Sequence, residues 1–413
     1  MVSYHLNNFD FTNSTFNADT FVQDNPKFII KSDKDFLNEK LYIIKYNKDT
    51  LSQEDYLTDG KYRSVIFSNN KLLSYSPAKS IKLEEFRNKF NESECFAEDF
   101  IDGTMVNLFY FNNSWEISTK SCIGGNVSFF INEYESNEKN TFKSLFFECC
   151  KNANLNIEDL EKEFSYTFVF QHPNNRIVTP IQDTMLYCIR IYSFNNNIVT
   201  EVPFNYFYEN YSGFKNTRVY LPMRYPISSY DEFINYYGSE NTPYYCVGIM
   251  IYGPDGTRTK IRNPNYEIIR KLRGNQPKLE YQYLCLRKEN KVKQFLLYYP
   301  EYKKHFLEYK NKMHNFTNTL YNLYKECFIF KLKKLKEYDF QYKIHIYNLH
   351  NIYLNELRPN NENISKTAVI KYVNNLHPSQ QMFAINYELR NTKTNTGCIT
   401  DEINNTSTTP MSD

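Results

Sequence analysis

Through the first two thirds of the chain, apolar and polar positions alternate with a period of two. The runs KFIIK from residue 27, LYIIKY (41–46), YRSVIF (62–67) and KLLSYS (71–76) each read as β-strands. Asn69-Asn70 lies between the last two, and asparagine tolerates positive φ, so this pair predicts a hairpin. Pro77 ends the run, and residues 81–90 read as a short amphipathic helix. Residues 105–120 give two more β-rich runs around Asn112-Asn113-Ser114, a second hairpin. Thr141 then caps a helix whose Phe142, Leu145, Phe146 and Cys149 fall on one face. The run 185–194 reads as a buried strand, and residues 244–253 and 257–262 form a third hairpin around Pro254-Asp255-Gly256.

Near residue 275 the period lengthens to about 3.6, and residues 279–373 are helical in pattern. The chain therefore reads as α+β. A loose lead-in over 1–24 precedes a β-rich body over 25–275. A smaller, mostly helical C-terminal domain over 276–390 follows, and then a disordered polar tail over 391–413. The run FKLKKLKEY (330–338) reads as a helix with a solvated charged face.

Composition narrows the class. At 413 residues, two or three domains are expected, and 41% hydrophobic residues suffice for a sizeable core. Eleven glycines exclude a collagen-like or linker-type chain. No apolar stretch approaches the roughly 18 residues of a spanning helix, so no membrane partner is expected. A net charge of +2 excludes a histone-like binder while permitting a local basic face. The first residues are polar, unlike a signal or transit peptide, so an intracellular, cytoplasmic protein is expected. The nine cysteines show no CxxC pair and read as buried thiols, with no metal site.

Five segments carry the candidate chemistry: the Arg63 run, FIDGT (100–104), WEISTKS (115–121), HPNNRIV (172–178), and CVGIMIY with TKIRNPNY (246–266). In order and spacing they resemble the nucleotidyltransferase domain of phage-type ATP-dependent RNA ligases. The resemblance implies an ATP-grasp-like, antiparallel β-rich nucleotidyltransferase fold. It also implies a lysine that attacks the α-phosphate of ATP, with Mg²⁺ and cationic side chains offsetting phosphate charge. Onto that pattern Arg63 matches the early arginine, Asp102 and Gly103 the DG turn, Lys120 the strand-closing lysine, and Lys260 and Arg262 the K-x-K pair. Three positions depart from it. Phe100 stands where the nucleophilic lysine belongs, and Val169 and Val247 stand where two glutamates belong. Glu98 and Asp99, just before the turn, are the nearest carboxylates, and they are not expected to take over the missing role. His172 reads as a packed histidine rather than a base.

Losing a nucleophile and two carboxylates while keeping the cations implies a site that binds nucleotide or RNA phosphates with degenerate covalent chemistry. The stretch 260–278, with Arg270, Lys271, Arg273, Lys278 and an interleaved Tyr266, has the composition of a single-stranded RNA surface. Its 271–277 portion reads as a loop. Two alternatives stand beside this reading. One is an active ligase using ATP, Mg²⁺ and a displaced lysine, for which Lys120 is the nearest candidate. The other is a structural or virion-associated protein that keeps only the fold, with a protein partner for the helical domain. The Asn, Lys, Tyr, Phe and Ile bias resembles an AT-rich viral or protist genome. No P-loop, GxGxxG, HExxH or Ser-His-Asp pattern is present in the sequence.

Overall fold

A computed structural model of the chain describes residues 1–6, 18–33, 40–68, 71–128 and 140–387. The expected Asn69-Asn70 turn and the 391–413 tail lie outside the described residues. The described residues form two compact units, Met1–Pro277 and a second from Lys278 onward. The first is β-rich with mostly antiparallel pairing, and the second is helical.

Three sheets build the first unit. The largest has seven strands: β1 (Ser3–His5), β7 (Thr104–Phe111), β8 (Ser114–Ser118), β9 (Ser165–Gln171), β10 (Met185–Asn195), β11 (Ile198–Glu201) and β12 (Val219–Tyr220). Its order is β1-β11-β10-β9-β7-β8, with β12 parallel to β10. A second sheet runs β2 (Phe28–Asp33), β3 (Leu41–Tyr46), β4 (Val65–Ser68), β5 (Lys71–Tyr75) in chain order. The third pairs β13 (Arg224–Pro226), β6 (Phe96–Asp99), β14 (Gly248–Tyr252) and β15 (Arg258–Arg262). Five helices accompany them: α1 (Ala18–Asp24), α2 (Leu83–Lys89), α3 (Phe142–Asn152), α4 (Phe204–Asn210) and α5 (Tyr230–Tyr237); α6 (Pro264–Arg273) closes the unit.

Local chemistry explains the elements. Asn112 and Asn113 both take positive φ (45° and 62°), the conformation a tight β7–β8 turn requires. Thr141 caps α3 by accepting the Ser144 N–H at 3.1 Å. That helix lays Leu145, Phe146, Cys149 and Cys150 into a core with Val106, Leu108, Phe168 and Phe170 of β7 and β9. Each buried Leu or Phe contributes about 1.5–3 kcal/mol.

Two expectations need correction. Residues 3–5 are not a loose lead-in: they pair antiparallel with β11, Tyr4 opposite Val199, because alternate side chains can join the neighbouring core. Residues 271–273 are not loop. They form the last turn of α6, which Gly274 ends with a φ of 70°.

The second unit contains α7 (Leu279–Lys288), α8 (Val292–Tyr298), α9 (Lys303–Tyr324), α10 (Phe340–Ile352), α11 (Lys366–Asn375) and α12 (Pro378–Ile385). Tyr283, Phe295 and Phe306 form its aromatic centre. Buried Glu280 on α7 accepts from Lys312 on α9 at 3.0 Å and from Asn386, just after α12, at 2.6 Å. One carboxylate thereby ties three helical segments together.

Gly248, the first residue of β14, has a φ of 126°, and a Cβ there would sit 2.0 Å from the Ile261 carbonyl oxygen. Gly248→Ala is expected to destabilise the first unit by about 2–4 kcal/mol, measured as a lowered midpoint in urea unfolding.

Candidate functional site

Buried Asp102 organises the centre of the first unit. Its carboxylate accepts the backbone N–H groups of Val178 (3.2 Å) and Thr179 (2.8 Å) and the Tyr266 hydroxyl (2.7 Å). It therefore ties the turn before β7 to the HPNNRIV segment and to α6. Burial, then the Asp102 charge and hydrogen bond, push the Tyr266 phenol far above its ordinary value, so it remains a donor. Gly103 allows the close approach that this needs. A Cβ at Gly103 would lie 2.6 Å from the Phe170 carbonyl oxygen and 2.7 Å from Val169 Cγ1 on β9.

Phe100 lies under Arg262, whose guanidinium carbon is 4.9 Å from the ring centroid. Arg262 also pairs with Glu267 on α6, and Arg270 reaches the same carboxylate at 3.3 Å. Position 100, where the resemblance implied a nucleophile, is thus a ring packed against a cation that is paired with a carboxylate. Val169 and Val247 are both buried.

The nearby carboxylates are engaged as well. Glu98, 2% exposed, accepts from buried Arg190 at 2.8 Å and from Arg224 at 2.8 Å. Arg190 also reaches Glu201 at 3.0 Å and lies over the Tyr252 ring. Asp99 accepts the Met223 N–H and the Tyr225 hydroxyl. His172 is buried, with Nδ1 accepting the Asn174 N–H at 3.0 Å and Nε2 3.3 Å from the Glu148 carboxylate.

The remaining cations lie close enough to perturb one another. Lys120 sits in the turn after β8, where Thr119 N–H bonds the Cys122 carbonyl at 2.8 Å. Burial, then Arg63, Lys48, Lys45 and Lys79, pull its ammonium down to about 7. Lys260, on β15, is lowered to about 8 by burial, then by Arg262 and Lys79, against the opposing pull of Glu267. Burial and Arg258 bring Arg63 down to about 10. Lys79 acts on both lysines. Its ammonium lies 5.7 Å from the Tyr46 ring centroid, and that of Lys120 lies 5.1 Å from the same ring. Among the described residues, neither Lys120 nor Lys260 has an ion-pair partner.

Solved structures similar to this chain include two described as ATP-dependent nucleic-acid ligases. A putative ATP-dependent DNA ligase from Aquifex aeolicus is similar with a TM-score of 0.35 and 13% identity, over 82% of this chain and 79% of that one. An archaeal ATP-dependent RNA ligase is similar with a TM-score of 0.37 and 10% identity, over 68% of each chain. Similarity at this level transfers no residue role. No protein-family model matches the chain, and no curated protein matches it.

The structure thus brings Arg63, Lys120 and Lys260 into one electrostatic neighbourhood and turns Arg262 to Phe100 and Glu267. Asp102 and Gly103 brace the turn. Sequence reasoning missed Lys79, Tyr46 and Arg258. Only Arg258 carried a signal, since it shares the β15 face of Lys260 and Arg262. Of the stretch expected to bind RNA, Arg273 is buried and donates to the Arg176 carbonyl at 3.1 Å, and Arg270 is held by Glu267. Lys271 is exposed, and Lys278 opens the helical unit as the residue before α7. Nucleotide phosphates fit the cation set. Glu98, Asp99 and Asp102, the carboxylates around the turn, each accept hydrogen bonds from protein donors.

Removing the Asp102 acceptor orphans the buried Val178 N–H, the partly buried Thr179 N–H and a buried phenol. Asp102→Ala is expected to cost about 3 kcal/mol or more, and Tyr266→Phe about 1–2 kcal/mol, both read by chemical denaturation.

Proposed function

We propose that this chain binds the phosphates of a nucleotide or an RNA end on a ligase-like nucleotidyltransferase body, without adenylylation at position 100. The observation that carries this reading is the pair Lys120 and Lys260. Both are largely desolvated, both face Lys79, and neither has a carboxylate partner among the described residues. Crowded ammonium groups in a partly buried site are relieved by an anion. Phe100 supplies no amine, and its ring is taken up by Arg262.

Incubating the purified protein with α-labelled ATP, followed by a denaturing gel, should leave no labelled band. ATP or 5′-phosphorylated RNA should bind, and Lys120→Ala or Lys260→Ala should each weaken that binding about tenfold, the loss of one charge-assisted contact. Absence of binding to both anions would overturn the proposal. One observation favours a second reading, in which Lys120 is a displaced nucleophile. An amine lowered to about 7 is substantially neutral at physiological pH, as nucleophilic attack requires. A labelled band that disappears in Lys120→Ala would select that reading.

The two lysines also set a pH signature. A bound polyanion favours their ammonium forms, so binding takes up protons. Affinity should fall as pH rises through about 7 and 8, the values of the unliganded groups. Stability of the free protein should move the other way. Lysines in the unfolded chain keep their protons up to about 10.4, so between about pH 7 and that value the unfolded state holds more protons and stability rises. Calorimetric titration and urea unfolding across this range should show the opposed slopes.

A further inference from the structure

We infer that the turn after α9 is a binding site for anionic lipid headgroups, docking the protein on a negatively charged membrane surface. The run 330–338, expected to be a charged helix, is not one. After α9 the chain makes a π-helical turn over Lys325–Ile329, reverses at Lys331 with a φ of 54°, and resumes as a single 3-10 turn over Leu335–Glu337. The reversal is braced: the Phe330 N–H bonds the Lys325 carbonyl at 2.8 Å, and the Leu332 N–H bonds the Glu326 carbonyl at 2.9 Å. A side chain other than glycine held at positive φ is a local cost that the surrounding bonds maintain.

This braced turn leaves large apolar side chains in water. Ile329 is 52% exposed, Phe330 61% and Leu332 69%. The same segment carries exposed Lys331, Lys333, Lys334 and Lys336 and half-buried Lys325, whose ammonium lies 4.7 Å from the Tyr321 ring centroid, against Glu326, Glu337 and exposed Asp339 two residues on. Glu337 is already engaged, accepting the Lys334 backbone N–H at 2.6 Å. Beside the turn lies a recess of about 540 Å³, with buried Cys327 and half-buried Phe328 and Leu335 among its lining residues, and exposed Lys331, Lys333 and Lys334 also lining it. Apolar side chains ringed by lysines match a bilayer interface, where the first enter the acyl boundary and the second meet headgroup phosphates and carboxylates.

The chemistry favours lipid over single-stranded RNA. Ile329 and Leu332 have no π-face to stack on a base, and they gain only by leaving water. The cations of residues 325–337 are all lysines, point charges that need no fixed acceptor geometry. No helix of the described residues is long and apolar enough to cross a membrane, and interfacial docking needs none.

The test is flotation of the full chain with phosphatidylserine–phosphatidylcholine vesicles against phosphatidylcholine alone. Binding is expected only with the anionic lipid, and it should fall as salt rises. Phe330→Ala/Leu332→Ala should weaken it about tenfold or more. Lys333→Ala/Lys334→Ala should weaken it roughly thirtyfold, the loss of two surface charges. All four positions are exposed, so unfolding midpoints should match the unsubstituted chain. A Phe330→Trp reporter should shift to the blue and be quenched by brominated acyl chains. Equal binding to both vesicle types, or none, would overturn the inference. So would polyuridylate binding, or dimerisation, that the same substitutions abolish while vesicles are ignored. These readouts are independent of the Lys120 and Lys260 site, so failure here leaves the phosphate-binding proposal standing, and the converse holds.

Discussion

One buried carboxylate holds the β-rich unit in register around its centre. Asp102 takes two backbone N–H groups and a phenol, and in doing so joins three segments far apart in the chain: the turn before β7, the loop after β9, and α6. Gly103 beside it lets that turn press against β9, where any side chain would strike the Phe170 carbonyl or Val169. A carboxylate buried among donors is stabilising only while all of them remain in place.

The charges of the unit fall into two groups. In one, Glu98 and Glu201 neutralise Arg190, and Arg224 adds to the pairing. Breaking one member of such a buried group costs more than the group contributes as a whole. In the other, Arg63, Lys79, Lys120 and Lys260 crowd together, and each proton on the two perturbed lysines is held against desolvation and like charge. The first arrangement is satisfied within the fold. The second is a standing electrostatic cost that an anionic ligand would relieve. Arg262 lies over Phe100 and pairs with Glu267 yet still acts on Lys260 as a like charge, whereas Lys120 and Lys260 have no ion-pair partner among the described residues.

Much of this was legible in the chain. Periodicity located β3, β7–β8, β10 and β14–β15, because each strand buries alternate side chains and the turn residues at Asn112-Asn113 and Pro254-Asp255-Gly256 leave few alternatives. The cap at Thr141 and the apolar face of α3 were equally plain. Local pattern failed where the deciding partner was distant. Ser3–His5 is too short to declare itself as a strand, and it exists because β11 offers an edge. The lysine-rich run after α9 has the composition of a helix, yet the chain reverses at Lys331.

The sequence by itself determined the strands, the hairpins, the change to helical period and the absence of a lysine at position 100, since these follow from side-chain chemistry and short-range geometry. Only the tertiary structure decided what the charged residues do. Which donors the Asp102 carboxylate meets and whether Lys79 belongs to the same neighbourhood as Lys120 depend on residues tens to more than a hundred positions apart, and the pairing of Arg262 with Glu267, five residues on, depends on how α6 leaves β15. Coulomb energy and desolvation depend on separation and burial in space, and neither is written in the order of residues along the chain.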